Sequence, residues 1–401
     1  MDSSGLGAVG PYELLLQLAT GGMAEVFIAR RARASSPEGA GAAAEAGGTA
    51  GAGAAGTATG GTAGAAEAAG AALGREPLVA LKRIRADLRY ESGYAAMLFD
   101  EAGIASRVVS PNFVPILDYG LDEAGAPYIV MELVVGVTLK HLTRPPEMLD
   151  VGDALDLIAQ SADGLHAAHE ARDSSGELLQ VIHRDISPSN ILVGVDGRAS
   201  ICDLGLAYAL RRTTRTKTGT VKGKLSYLSP EQAHARPLDR RSDVFSLGVV
   251  AWEAVAGRRL FIGSSMLSIL HAVLEREVPP LSSEREGVGE AVTAAVARAL
   301  ERDRDARWPT AADFAQALRA AAEREGHAPS RGRVGARVDA ALPEPLKPLA
   351  SSCAPGGPLV TPEIIAALRS MHAAGVVGEG DSSGMLAPRR PPGGHRPVRK
   401  M

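Results

Sequence analysis

The chain has 401 residues, a formal net charge of -3, 4% aromatic residues and two cysteines, Cys202 and Cys353. That balance excludes a general basic coat for nucleic acid, and cysteines without a CxxC spacing argue against a cysteine-built metal framework. No run of about 18 apolar residues occurs, and residues 1–22 have no basic start followed by an apolar stretch. Neither a membrane anchor nor a secretory signal is therefore expected, and the expected compartment is a reducing cytoplasm.

Residues 1–10 read as an N-terminal tail, and 11–33 as strand, turn, strand around Thr20-Gly21-Gly22. Residues 34–75 are almost entirely Ala, Gly, Thr and Glu, without a large apolar residue before Leu73. Such a segment buries too little to offset its ordering entropy, so it reads as a disordered insertion. A strand follows at 78–82, then a helix at about 94–109, halted by Ser110-Pro111. Short strands at 114–121 and 128–133 flank a turn. From about 139 the pattern is mainly helical: Leu155, Ile158, Ala162, Leu165 and Ala168 keep a period near 3.6 residues over 154–172. Further helices are expected near 241–256, 264–276, 288–301 and 310–325. After about 326 the composition shifts to Pro, Gly, Ser and Arg, which reads as a mostly disordered tail with one short helix at 362–374. Strands first and helices later give an α+β chain of two lobes, one ending near 133 and the other spanning about 137–325.

Four segments carry residue types suited to chemistry. The turn Ala19-Thr20-Gly21-Gly22-Met23-Ala24-Glu25-Val26 lets backbone amides approach a phosphate, although a plain hairpin turn has the same composition. Lys82 ends an apolar strand, and Glu101 on the next helix is the carboxylate that would hold it against phosphates. Val181-Ile182-His183-Arg184-Asp185-Ile186-Ser187-Pro188-Ser189-Asn190 packs an acid, two bases and an amide into one loop. There Asp185 can take or orient a hydroxyl proton and Asn190 can bind a metal. After the next strand comes Asp203-Leu204-Gly205, where an Asp before a Gly can hold Mg²⁺ between phosphate oxygens. Last come Ser229-Pro230-Glu231, Asp243 and Arg307, in which a buried Glu231–Arg307 pair would anchor the end of the loop that starts at Asp203.

In this order the segments resemble the protein kinase signature of Gly-rich loop, strand lysine, helix glutamate, H-R-D…N, D-F-G and A-P-E, over 11–325 apart from the insertion. The forms Gly-Gly-Met-Ala-Glu-Val and His-Arg-Asp-Ile-Ser-Pro-Ser-Asn are similar to those of myxobacterial cytosolic serine/threonine kinases. The resemblance implies a bilobal kinase fold, ATP and Mg²⁺ (or Mn²⁺) as cofactors, protein Ser/Thr hydroxyls as substrates, and no nucleic-acid or membrane partner. By the same resemblance Lys82 contacts phosphates and pairs with Glu101, Asp185 orients the substrate hydroxyl, and Asn190 and Asp203 hold the metal. The nucleotide is expected among Ala19, Gly21, Gly22, Ala24, Val26, Ala80 and Lys82. Met131 would gate the adenine pocket, with Glu132, Leu133 and Val134 as the hinge. Asp243 would brace the catalytic loop.

Three departures stand out. Ala19 and Ala24 replace glycines, which stiffens the loop. Leu204 replaces Phe, a mild variation. Ser187 occupies the position of a lysine that neutralises the transferred phosphate, while Lys224 stands where a threonine is usual. One cation is lost and another gained beside Asp185, so Lys224 is expected to supply the missing charge. Thr213, Thr214, Thr216, Thr218 and Thr220 lie among Arg211, Arg212, Arg215, Lys217 and Lys222. A phosphate there would attract Arg184 instead of repelling it, so autophosphorylation in trans, through self-association, is expected. The competing reading is a pseudokinase scaffold.

Overall fold

The computed structural model describes residues 6–20, 24–32, 77–85, 94–143, 148–204, 223–350 and 361–373, with short pieces beyond 352. The expected insertion at 34–75 lies outside them, as do Gly21, Gly22, Gly205 and Thr213 to Thr220. No helix among the described residues is long and apolar enough to cross a membrane.

The first lobe is a six-stranded antiparallel sheet in the order β1-β2-β3-β4-β6-β5. Its strands are β1 (Ala8–Val9), β2 (Tyr12–Thr20), β3 (Ala24–Arg31), β4 (Val79–Ile84), β5 (Ile116–Leu121) and β6 (Pro127–Glu132). Register decides what the sheet shows to each side. Val26 pairs with Lys82, Ile28 with Ala80, and Ala80 with Met131, so these side chains share one face. Alternate residues, including Phe27, Leu81, Tyr128 and Val130, fill a separate apolar cluster on the other face. Helix α1 (Tyr94–Ala105) packs beside β5 and β6. It is shorter than the 94–109 expected, because Arg107 and Val108 close i→i−3 turns onto Ile104 and Ala105. The expected N-terminal tail is also corrected: Val9 is buried and pairs with Tyr12.

The second lobe is built around α2 (Val151–His169) and α3 (Arg241–Ala256), which pack on each other. Helices α4 (Met266–Glu275), α5 (Glu290–Ala299) and α6 (Ala311–Arg324) complete it. Asp313 and Thr310 form a capping box at the start of α6, which satisfies amides that the helix itself cannot. A small sheet of β7 (Gly136–Thr138), β8 (Ile191–Gly194) and β9 (Ala199–Ile201) lies between the lobes. Its two later strands flank the turn that separates Asn190 from Cys202, so the loop 181–190 and Asp203 emerge side by side.

Within the expected disordered tail, residues 326–350 and 361–373 are ordered. Residues Arg331–Ala341 form α7, and Pro362–Ala373 form α8. Val334, Val338, Leu342, Leu346, Leu349, Ile364 and Leu368 join the main apolar core. The sparse apolar positions Val334 and Val338 are one helical turn apart and bury a single narrow stripe, which composition alone conceals.

Candidate active site

Between the lobes lies a cleft of about 650 Å³, counted with its open mouth. The shared face of the sheet contributes Val26, Ala80 and Lys82 to it, and Met131, Glu132, Leu133 and Val134 follow along one wall. Ala19 and Ala24 border the β2–β3 turn but are not among the lining residues, whereas Leu18 is. Met131 also borders a second cavity, whose walls include Glu101, Cys202, Asp203 and Leu204. It therefore sits between the two spaces.

Lys82 Nζ donates to Asp203 Oδ1 at 2.7 Å. Burial alone would drive the Lys82 ammonium toward its neutral form. The carboxylates of Asp203 and Glu101 outweigh burial and hold its pKa above the ordinary value. Lys82 is therefore a cation at any physiological pH. The hydrogen bond described for it goes to Asp203; Glu101, buried on α1, acts on it through its charge.

The loop 181–190 is held by Asp243 at the start of α3. Its Oδ2 accepts from the amide of His183 (2.7 Å) and from His169 Nε2 (2.8 Å), and its Oδ1 accepts from the amide of Arg184 (2.8 Å). These bonds hold Arg184 at φ 68°, a left-handed conformation that a non-glycine residue adopts only when its surroundings impose it. Burial holds His183 below the usual imidazole range, against the opposing charges of Asp243 and Asp185. The neutral ring accepts from the Asp185 amide on Nδ1 (3.3 Å) and donates from Nε2 to the Cys202 carbonyl (3.2 Å). The loop is thus tied to the strand end that carries Asp203.

Asn190 Nδ2 donates to the Asp185 carbonyl (2.7 Å) and to Asp185 Oδ2 (3.1 Å). Its Oδ1 is buried and has no partner among the described residues. The Cys202 amide donates to the Asn190 carbonyl at 3.0 Å, which sets Asn190 beside the backbone leading to Asp203. A partnerless amide oxygen near a carboxylate is the donor set of a hard divalent cation, so the residues fit the metal expected there.

The Lys224 ammonium hydrogen-bonds Asp185 Oδ2, and both groups are largely buried. Ser187 is buried with its hydroxyl against Ser189 Oγ at 3.3 Å. Arg184 has a buried Nε without a partner. The threonines expected to be phosphorylated lie outside the described residues, so the facing partner of Arg184 is not described.

Glu231 and Arg307 form a bidentate pair at 2.7 and 2.9 Å. Ser242 Oγ also donates to Glu231 at 2.6 Å. The adjoining Gln232 donates from Nε2 to the Arg184 carbonyl at 3.0 Å, joining this anchor to the catalytic loop. His169, Leu18 and Leu346 were not anticipated. Leu18 lies at an ordinary apolar strand position, and neither His169 nor Leu346 belongs to a local motif.

Sheet lobe, helical lobe and intervening cleft reproduce the fold of the Mycobacterium tuberculosis PknI kinase domain, with a TM-score of 0.52, 20% identity and coverage of 80% of this chain and 99% of that one. The chain belongs to the protein kinase family, whose domain model matches residues 60–318. Strands β1 to β3 precede that match, yet β3 pairs with β4 in the same sheet. Tyrosine-protein kinase MasK of Myxococcus xanthus is 34% identical over 313 residues, covering 77% of this chain and 42% of MasK. Serine/threonine-protein kinase PknB of Mycobacterium leprae is 34% identical over 240 residues, and PrkC of Bacillus subtilis 36% over 236. Each of these two covers 59% of this chain, which spans 37% of PknB and 35% of PrkC. The chain thus spans less than half the length of these curated relatives.

Proposed function

We propose that this chain transfers the terminal phosphate of ATP to serine or threonine hydroxyls of proteins, as a bacterial cytoplasmic signalling kinase. The observation that carries this reading is the Lys82–Asp203 pair in the wall of the interlobe cleft, with the bonded pair Asn190–Asp185 tied through the Asn190 carbonyl to Cys202, the residue before Asp203. Nothing in that set favours a scaffold without catalysis. Bound Mg²⁺–ATP supplies the phosphoryl group and the metal charge, and Asn190 and Asp203 would hold the ion. Lys82, kept protonated, balances phosphate charge. Asp185 orients the attacking hydroxyl and takes its proton on Oδ1, since both hydrogen bonds described for its side chain fall on Oδ2. Such catalysis is positioning and charge neutralisation.

The test is incubation of the purified chain with γ-labelled ATP, Mg²⁺ and a generic basic protein. Label is expected on both proteins, to vanish with EDTA and to return with excess Mg²⁺. Intact mass should show added phosphate on the chain, mapping within 213–220. No label on either protein overturns the reading. Transfer to tyrosine is a second reading, favoured by the likeness to MasK, a tyrosine-protein kinase that is 34% identical over 77% of this chain. Phosphoamino-acid analysis of the labelled product separates the two.

Lys224 is read as the cation that replaces the one missing at Ser187. Lys224→Met should lower kcat by about a hundredfold with KM for ATP little changed, the signature of charge stabilisation confined to the transition state. Wild-type kcat in this variant would leave Lys224 as a packing residue only.

A further inference from the structure

The segment after 326 is fastened to both lobes. At the start of α7 the Ser330 amide donates to Asp153 Oδ1 at 2.8 Å, and Arg333 donates to both oxygens of Asp153 at 2.6 and 2.8 Å. Arg337 donates to the carbonyls of Met148 (2.6 Å) and Leu142 (3.2 Å). The helix backbone lies directly on the β8–β9 turn. A Cβ at Gly335 would stand 2.4 Å from the Val195 carbonyl oxygen, and one at Gly197 would stand 2.4 Å from that of Arg331. Only glycine at both positions permits this approach. Farther on, α8 packs against β2. There Arg369 hydrogen-bonds Glu13, which also pairs with Arg30 at 2.6 Å.

Between these two attachments lie the 3-10 turn Glu344–Leu346 and the helical turn Lys347–Ala350 that follows it directly. Leu346 is buried, and it lines the interlobe cleft together with Leu18, Val26, Val134 and Val137. These residues are apolar; Val134 belongs to the expected hinge and Val137 to β7 just after it, and Asp185 is not among the lining residues. We propose that Leu346 is a nucleotide-binding residue, through which the C-terminal segment supplies one apolar wall of the base-binding end of the cleft. α7 and α8 act as the two anchors that hold it there. The inference rests on the nucleotide reading of the cleft given above.

The test is equilibrium binding of adenosine and of ADP to the full chain, by calorimetry. Wild type is expected to bind both; if it binds neither, the nucleotide reading itself fails. Leu346→Ala should weaken adenosine and ADP by the same factor, on the order of tenfold, because the lost contact is with the base. Lys82→Met should weaken ADP and leave adenosine unchanged, which separates the apolar end of the site from its phosphate end. Hydrogen exchange on the wild-type chain supplies a readout that needs no variant: saturating adenosine should slow exchange of the amides of residues 342–350. Wild-type affinity for adenosine in a folded Leu346→Ala variant, or exchange in 342–350 indifferent to adenosine, overturns the proposal.

Discussion

Asp185→Asn is expected to lower turnover by about a thousandfold, within the range that one positioned general base contributes. Affinity for ADP should stay near that of wild type. The substitution keeps the shape of the side chain and removes only its charge and its capacity to take a proton. The hydrogen bond from Asn190 Nδ2 to the backbone carbonyl of residue 185 (2.7 Å) does not depend on the side chain, so the loop keeps its fold. The Asp243 bonds to residues 183 and 184 are likewise untouched. What changes besides the base is the partner of Lys224, whose ammonium rests on Asp185. If the two side chains act as a unit, Lys224→Met in the Asp185→Asn background should add little further loss, well short of the product of the single effects. Steady-state kinetics on the two single variants and the double variant decide this. Turnover of Asp185→Asn within tenfold of wild type would remove Asp185 from the role of base.

The legibility of this site follows from how local its signals are. His183 to Asn190 is one loop, and its residue types reveal their chemistry at fixed short spacings. Lys82 is read from an apolar strand, and the register Val26↔Lys82 then brings it to the cleft face. The departures at Ser187 and Lys224 are also visible in sequence, and the proposal that one cation replaces another starts from them; the structure adds the Lys224–Asp185 pair. Contacts formed across long stretches of chain leave no such mark. The His169–Asp243 bond joins residues 74 apart, and a histidine at the end of an amphipathic helix reads as a solvated face residue. Leu346 is one leucine in a Pro-rich stretch. The charged composition of 331–341 hides a helix that is held by Asp153 and by backbone packing on Gly197 as well as by its narrow stripe of Val334 and Val338. The lobes themselves are legible because strand and helix periods differ. The final wall of the cleft is not, because it depends on where a distant segment returns.

Arg307→Met should destabilise the fold by about 3–5 kcal/mol, the range for breaking one side of a buried ion pair. In thermal unfolding of a chain this size this corresponds to a fall in Tm of roughly 5–8 °C. Arg307 has no exposed side-chain surface. Besides Glu231 it donates to the carbonyls of Glu301 (2.7 Å), Arg241 (3.0 Å) and Arg302 (3.1 Å). Removing it leaves the buried Glu231 carboxylate with Ser242 as its described side-chain donor. Adding Glu231→Gln to Arg307→Met should recover part of the loss, since the uncompensated charge is then gone. The pH dependence gives a second check. In the wild type, burial opposes the Glu231 charge, but the hydrogen bonds from Arg307 and Ser242 prevail and hold its carboxyl below the ordinary 4.5. A depressed folded-state pKa means stability present above pH 4.5 and lost as pH falls through the lowered value. Without Arg307, burial governs and the sign reverses, so Arg307→Met loses stability as pH rises past the ordinary carboxylate range. The gap in Tm between variant and wild type should therefore be widest near pH 7 and narrow toward pH 4. A gap independent of pH would show that Arg307 stabilises the lobe through its carbonyl contacts and its packing on Phe245, with the Glu231 charge contributing nothing.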